Sequence, residues 1–331
     1  MRLRATYIAA VSALFLAATG PSHAQQVELK IGHTLNPSSH YHVAAEKFKE
    51  VVEGRTAGQI KVSLFPQSQL GGEVKMLQAA RVGAVDLVVT SSAPLENTVP
   101  EAAILSLPYL FDNLDEADAV LQGDAGRHFL NYLEPRGLIG LTFLSAIERS
   151  VYTSKRPIKE LADIANLKLR VMQSPSYVAA YEAFGAQPTP MAYSEVYLAL
   201  QNGVVDGAEN SPDTFVMDRM TEVTKYLNMT KAHYMPSLLV MSKVRFDALS
   251  DEQKAVVQEA AKEAAQASIS TFRQTYAESL EKVKEANVEI VETNRAAFAK
   301  AARAVWPSIV ANTPGGDQNL KLIEEAKGKA D

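Results

Sequence analysis

Residues Asn166–Asn210 read NLKLRVMQSPSYVAAYEAFGAQPTPMAYSEVYLALQNGVVDGAEN. Leu167, Leu169 and Val171 alternate with Lys168 and Arg170, and this period of two predicts a short strand with Arg170 on the face opposite the leucines. The strand ends near Ser174 and Pro175. SYVAAYEAFG then predicts a helix closed by Gly185, Pro188 and Pro190 impose an extended crossing, and SEVYLALQNG predicts a second helix closed by Gly203. VVDGAEN reads as a buried strand. Arg170 and Asn210 thereby fall at the C-terminal ends of two candidate strands, the edge at which open α/β sheets take their ligands.

Outward from this block, strands and helices keep alternating. VELKIGHT predicts a first strand, and SSHYHVAAEKFKEVVEGRT a serine-capped helix with Val43, Phe48, Val51 and Val52 turned inward. QIKVSLFP, SQLGGEVKMLQAARVG and AVDLVVTS follow as strand, loop plus helix, and strand. DNLDEADAVLQGDAGRHFLNYLEPRG predicts two short helices broken at Gly123, and LIGLTFLSA another strand. That order argues for an α/β fold with mixed, mostly parallel sheets rather than a barrel or sandwich.

The chain is expected to cross between two domains near Ala146 and to return near Met235-Pro236, where SLLVMSK predicts a strand. Ser250-Asp251-Glu252-Gln253 is a capping box that opens a helix running to about Ala286 without proline or glycine. This far exceeds the ~11 residues of an average helix, so it reads as a strut along both domains. The expected division is a first domain of 27–146 plus 236–268 and a second of 147–235 plus 269–331. Asn287–Val291 adds a further strand, and the tail with Trp306 and Pro307 is expected to pack on the second domain.

Composition removes several function classes. With 331 residues, of which 47% are hydrophobic and 21% charged, the chain can bury the cores of about two domains. A net charge of -5 gives no basic field to steer nucleic acid. The absence of cysteine excludes disulfides, thiolate metal sites and cysteine nucleophiles. Neither a GxGxxG, a Walker A, a GxSxG nor an HExxH motif occurs, so no enzyme chemistry, metal or cofactor is indicated. Arg2 and Arg4 precede the apolar run Ala5–Ala18 and the small-residue site Ser22-His23-Ala24, which predicts a secretory signal peptide over 1–24. The run is shorter than the about 20 apolar residues of a membrane span. A periplasmic protein without a membrane anchor is expected.

KLRV around Arg170, GAQPTPMAYSEVYLALQNGVVDGAEN over Gly185–Asn210, and more loosely SQLGGE, LPYLF and ERSVYTSKRPI resemble the solute-binding proteins of tripartite ATP-independent periplasmic (TRAP) transporters. That family includes dicarboxylate-, sialic-acid- and sugar-acid-binding members. The resemblance implies a two-domain binding protein with a long interdomain helix, which captures a small carboxylate and delivers it to the membrane permease. It further implies that Arg170 pairs with the ligand carboxylate, with Arg149 and Asn210 nearby. An acidic residue close to Glu73 would touch ligand or bound water, and an aromatic at Tyr193 would cover the ligand.

Read from the residues alone, these positions keep alternatives open. Arg149 follows Glu148 and would serve equally as half of a surface ion pair. Family members usually carry an aromatic or small residue before this arginine, and Glu148 departs from that. Glu73 is a helix cap or a hydroxyl acceptor. Tyr193 covers the ligand or packs on Tyr197. His33 ends the first strand at the cleft edge, as a hydroxyl partner or a core histidine. Gln173, Asp213 and His233 join by position, whereas His40 and His42 read as capping or surface residues rather than a metal pair. Polar contacts from these groups favour a hydroxylated acid such as a uronate or aldonate. A C4-dicarboxylate, a periplasmic enzyme acting on a sugar acid and a ligand-presenting sensor subunit are the alternatives.

Overall fold

The computed structural model describes residues 26–329; the expected signal peptide lies outside them. Nine strands form one sheet: β1 Val27–Gly32, β2 Ile60–Phe65, β3 Leu87–Ser91, β4 Leu138–Thr153, β5 Lys168–Val171, β6 Gln187–Pro190, β7 Gly207–Asn210, β8 Tyr226–Ser242 and β9 Glu289–Val291. Their spatial order is β2-β1-β3-β8-β4-β7-β5-β6, with β9 beside β8. The pairs β1–β2, β1–β3, β5–β6, β5–β7 and β8–β9 are parallel, while β3–β8, β4–β8 and β4–β7 are antiparallel.

Two long strands make the sheet continuous where separate sheets were expected. LIGLTFLSA does not end at Ala146 but runs on through ERSVYT, and YLNMTKAHYM joins SLLVMS in one strand. Ala146 and Pro236 are register partners in the middle of this β4–β8 ribbon, which shifts register between Phe143 and Ala146 and again between Arg149 and Val151. One end of the ribbon pairs with β3 through Ser237–Met241. The other end pairs with β7 through Ser150–Thr153 and with β9 through Tyr226–Asn228. Gly207 lets β7 approach, since a Cβ there would stand 2.3 Å from the Tyr152 carbonyl.

The strut helix covers Asp251–Glu285, with Ser250 and Gln253 capping each other. At about 1.5 Å per residue it spans roughly 52 Å. Ala260, Ala261, Ala264 and Ala265 are buried along it, and these small side chains let it lie against the helix His40–Arg55, itself capped by Ser39. Val43 of that helix is only partly buried, while Ala44 and Ala45 take the inward positions. The tail departs from expectation. The helix Arg295–Ala311 starts against the second block, where Phe298 meets Phe184 at 5.2 Å between ring centroids. It ends on the first, where the Trp306 indole donates to the Pro108 carbonyl at 3.0 Å and sits in a core with Phe111 and Phe129. A helix of about 26 Å is long enough to reach both.

Candidate functional site

The C-terminal ends of β1, β3, β5 and β7 converge on a buried cavity of about 20 Å³, room for about one water. Thr34 and Leu35 line it just after β1, Ser91 at the end of β3, Arg170 and Met172 at β5, and Asn210 at β7. The ribbon supplies Ile147 and Arg149 from one face of β4, with Met235 opposite Ile147 on β8. Glu73, Tyr41, Tyr193 and Thr214 complete the lining.

Arg170 is 2% exposed, although a two-fold pattern alone allows its side chain to face solvent. Its Nε and Nη2 both donate to the Met191 carbonyl, at 3.0 and 2.9 Å, which fixes the plane of the guanidinium. Nη1 is buried, finds no hydrogen-bond partner and lies 3.8 Å from Glu209 Oε1. Burial holds the Arg170 guanidinium below its usual pKa, and Glu209 offsets only part of that. The Tyr193 ring stands over the guanidinium at 5.8 Å, its hydroxyl donating to Asp218 at 2.6 Å. This partner, rather than Tyr197, fixes the ring.

Arg149 pairs not with its neighbour Glu148 but with Glu209. Its Nε donates to Glu209 Oε2, Nη2 to Glu209 Oε1 at 3.0 Å and to the Glu209 carbonyl at 2.8 Å, and Nη1 to Asn210 Oδ1 at 2.8 Å. Burial would lower this guanidinium, yet the Glu209 carboxylate more than compensates and its pKa is raised. Asn210 Oδ1 also accepts from the Ser211 amide at 2.9 Å. Both oxygen lone-pair directions are thus used, while the amide nitrogen takes no acceptor among the described residues. Glu148 points elsewhere and accepts from the Tyr276 hydroxyl, with Lys231 at 3.2 Å.

On the opposite wall, Glu73 Oε1 accepts from the Thr90 hydroxyl at 3.0 Å and from the Ser91 amide and hydroxyl at 2.8 Å each. Glu73 is therefore a fixed acceptor and not a free helix cap. Its helix, Glu73–Arg81, has no side-chain cap.

The remaining expected site residues lie away from the cavity lining. His33 is fully buried, and its Nε2 is hydrogen-bonded to His42 Nδ1 at 3.0 Å; burial, with His42 adding to it, lowers its pKa to about 3. His233 is stacked on Tyr177 at 4.1 Å, and burial followed by the charge of Arg149 lowers it to about 3. Both are buried as neutral aromatic rings, with His33 Nδ1 and both His233 ring nitrogens lacking a hydrogen-bond partner among the described residues, which polarity at a strand end does not reveal. Asp213 accepts from Ser211 and faces His40 at 3.7 Å, while Gln173 offers its carbonyl to the Asn97 amide at 2.7 Å. His40 is a buried residue rather than a surface one.

Glu209 is the consequential residue that the sequence reading missed. A carboxylate inside the apolar run VVDGAEN has to meet a cation once buried. Among the described residues no group of three or more His, Asp or Glu is arranged to hold a metal, and no helix is long and apolar enough to cross a membrane.

The description of the bacterial extracellular solute-binding proteins, family 7, matches residues 31–313. The chain belongs to this family, the solute-binding proteins of TRAP transporters. The 2,3-diketo-L-gulonate-binding periplasmic protein of Escherichia coli is 32% identical over 330 residues, covering 99% of this chain and all of the relative. A TRAP solute-binding protein of a Polaromonas species, crystallised with D-erythronate, superposes with a TM-score of 0.87 at 35% identity over 90% of this chain and 98% of the other. A sugar-acid-binding protein of Advenella mimigardefordensis in complex with galactonate gives 0.88 at 31% identity over 93% and 99%. The family is one of transport proteins rather than enzymes.

Proposed function

We propose that this protein captures a uronate or aldonate between its two halves and presents it to TRAP permease subunits in the membrane. The observation that carries this reading is the few polar groups set in the cavity's walls. Arg170 Nη1, the free Asn210 amide nitrogen and the remaining Arg149 proton face a wall where Glu73 stands as acceptor. A guanidinium edge suits a carboxylate by paired, charge-assisted hydrogen bonds, and a fixed carboxylate suits sugar hydroxyls. Bound sugar acids in the similar Polaromonas and Advenella proteins point the same way. Cleavage of the signal peptide after Ala24 and release into the periplasm belong to the same proposal.

A site of this kind usually encloses hundreds of cubic ångströms, so the walls have to part to admit such a ligand. We assign that motion to the ribbon around Ala146 and Pro236 and to the strut helix. The moving bodies are taken as 27–146 plus 236–268, and 147–235 plus the helix beyond 268, with Trp306 and the chain after it riding on the first.

A thermal-shift screen with D-galacturonate, D-galactonate, D-erythronate and succinate tests the ligand class, because a compound that binds only the native state raises Tm by mass action. A rise with the hydroxylated monoacids is expected. A rise with succinate alone would transfer the assignment to C4-dicarboxylates. Turnover of the bound acid, followed by NMR over hours, would make it an enzyme.

A further inference from the structure

Arg149, Arg170 and Glu73 are the charged residues in the lining of the organic-acid cavity. Glu209 lies behind the two arginines and faces both of them. Two guanidinium groups less one carboxylate leave a single positive charge on that side, enough for one carboxylate of a ligand. Glu73 stands differently. Its Oε1 accepts from the Thr90 hydroxyl and from the Ser91 amide and hydroxyl, whereas Oε2 accepts no hydrogen bond among the described residues. The residue is 8% exposed, and no ion pair among the described residues includes it. Neutral donors therefore orient this carboxylate without supplying a counter-charge. The effect reaches its neighbour in the lining: burial first, and then the Glu73 charge, keep the Tyr41 phenol protonated well above its usual range.

We propose that Glu73 is a specificity-determining residue that limits the cargo to one negative charge: it accepts the hydroxyl-bearing end of a monoacid and turns away a second carboxylate, so that aldarates and short dicarboxylates are excluded. This rests on the reading of the cavity as a sugar-acid site and adds to it a class of acid that the site refuses. A hydroxyl donates to Oε2 and brings no charge. A second carboxylate brings only acceptor oxygens to an acceptor, and two like charges then face each other out of water. Leu35, Ile147, Met172 and Met235 form the apolar part of the lining and do little to screen them. Selectivity often comes from such a repulsive element placed against the wrong partner, and like charges brought together in a closed site are a strong one. Attraction at Arg170 and repulsion at Glu73 also fix the direction in which the acid lies, with its carboxylate on the β5 side.

The test uses the full mature chain and calorimetry near neutral pH with three acids of one carbon skeleton. D-galactonate ends in a hydroxymethyl group, its 6-carboxamide analogue in a neutral amide and galactarate in a second carboxylate. Galactonate and the amide are expected to bind, and galactarate to bind at least about a hundredfold more weakly than galactonate. In E73Q that gap should shrink to about tenfold or less, because galactonate loses an acceptor while galactarate loses the repulsion. A purely structural Glu73 would weaken all three alike and leave the gap as it was, which overturns the proposal. Galactarate binding as well as galactonate overturns it too, and so does an amide excluded as strongly as galactarate, since shape rather than charge would then be refused. Binding of none of the three to the unmodified protein is a separate result: it removes the sugar-acid reading itself, and this inference with it. Should E73Q fail to fold, the amide and galactarate on the unmodified protein decide between charge and shape.

Discussion

The two walls of the organic-acid cavity are built on different principles. The wall from β3 and the helix Glu73–Arg81 is held by neutral donors, an amide and two hydroxyls converging on one carboxylate oxygen. The wall from β4, β5 and β7 is held by charge, with Glu209 between two guanidinium groups. A wall of the first kind tolerates losing one bond. A wall of the second kind leaves a buried charge exposed to nothing when one member goes.

The comparison is broken most severely at Glu209. Glu209→Ala would strand Arg149 and is expected to cost on the order of 3 to 5 kcal/mol in a denaturant melt of the ligand-free protein. A loss below about 1 kcal/mol would mean that water reaches this pair. Next comes Arg170→Ala, expected to weaken sugar-acid binding by about 2 to 5 kcal/mol in calorimetry. Arg170→Lys should lose at least about tenfold, roughly 1.4 kcal/mol, because an ammonium cannot both grip the Met191 carbonyl and present an edge. Unchanged affinity in the lysine variant would remove Arg170 as the carboxylate anchor.

The acceptor wall should respond less. Glu73→Gln keeps the shape and loses the charge, so a fall of about 1.5 to 3 kcal/mol in affinity is expected for an acid bearing hydroxyls, with little change for an acid lacking them. Equal losses for both acids would reduce Glu73 to a structural role.

A smaller effect per step separates packing from binding. His33 and His233 are neutral when folded and have pKa values lowered from 6.5 to about 3. Between those values the unfolded chain binds more protons, so stability is fully present above pH 6.5 and falls as pH drops toward 3. Each histidine contributes up to about 1.4 kcal/mol per pH unit in that window. His233→Phe should flatten the slope of Tm against pH; an identical slope would show that His233 titrates normally.

Much of this arrangement was legible in the residues. Alternation, proline and glycine marked β5, β7 and the helices between them, and the capping box at Ser250 marked the long helix, because each is a local signal. Arg170, Arg149, Asn210, Tyr193 and Glu73 all line the cavity, since strand ends and a family resemblance locate residues without needing side-chain directions. His33, His233, Asp213 and Gln173 lie outside that lining, because a polar residue near a strand end can turn either way and only packing decides. The continuity of β4 and β8 escaped for a different reason. Their central residues mix charge and apolar character, and a strand buried by two blocks at once carries no single period.

That continuity bears on how the molecule is made. β3 is buried along its whole length, yet its antiparallel neighbour is Ser237–Met241. A growing chain therefore presents β3 with an open edge until most of the protein has been synthesised, and pairings so distant in sequence form slowly. The first half completes its sheet only after Ser237–Met241 has been made.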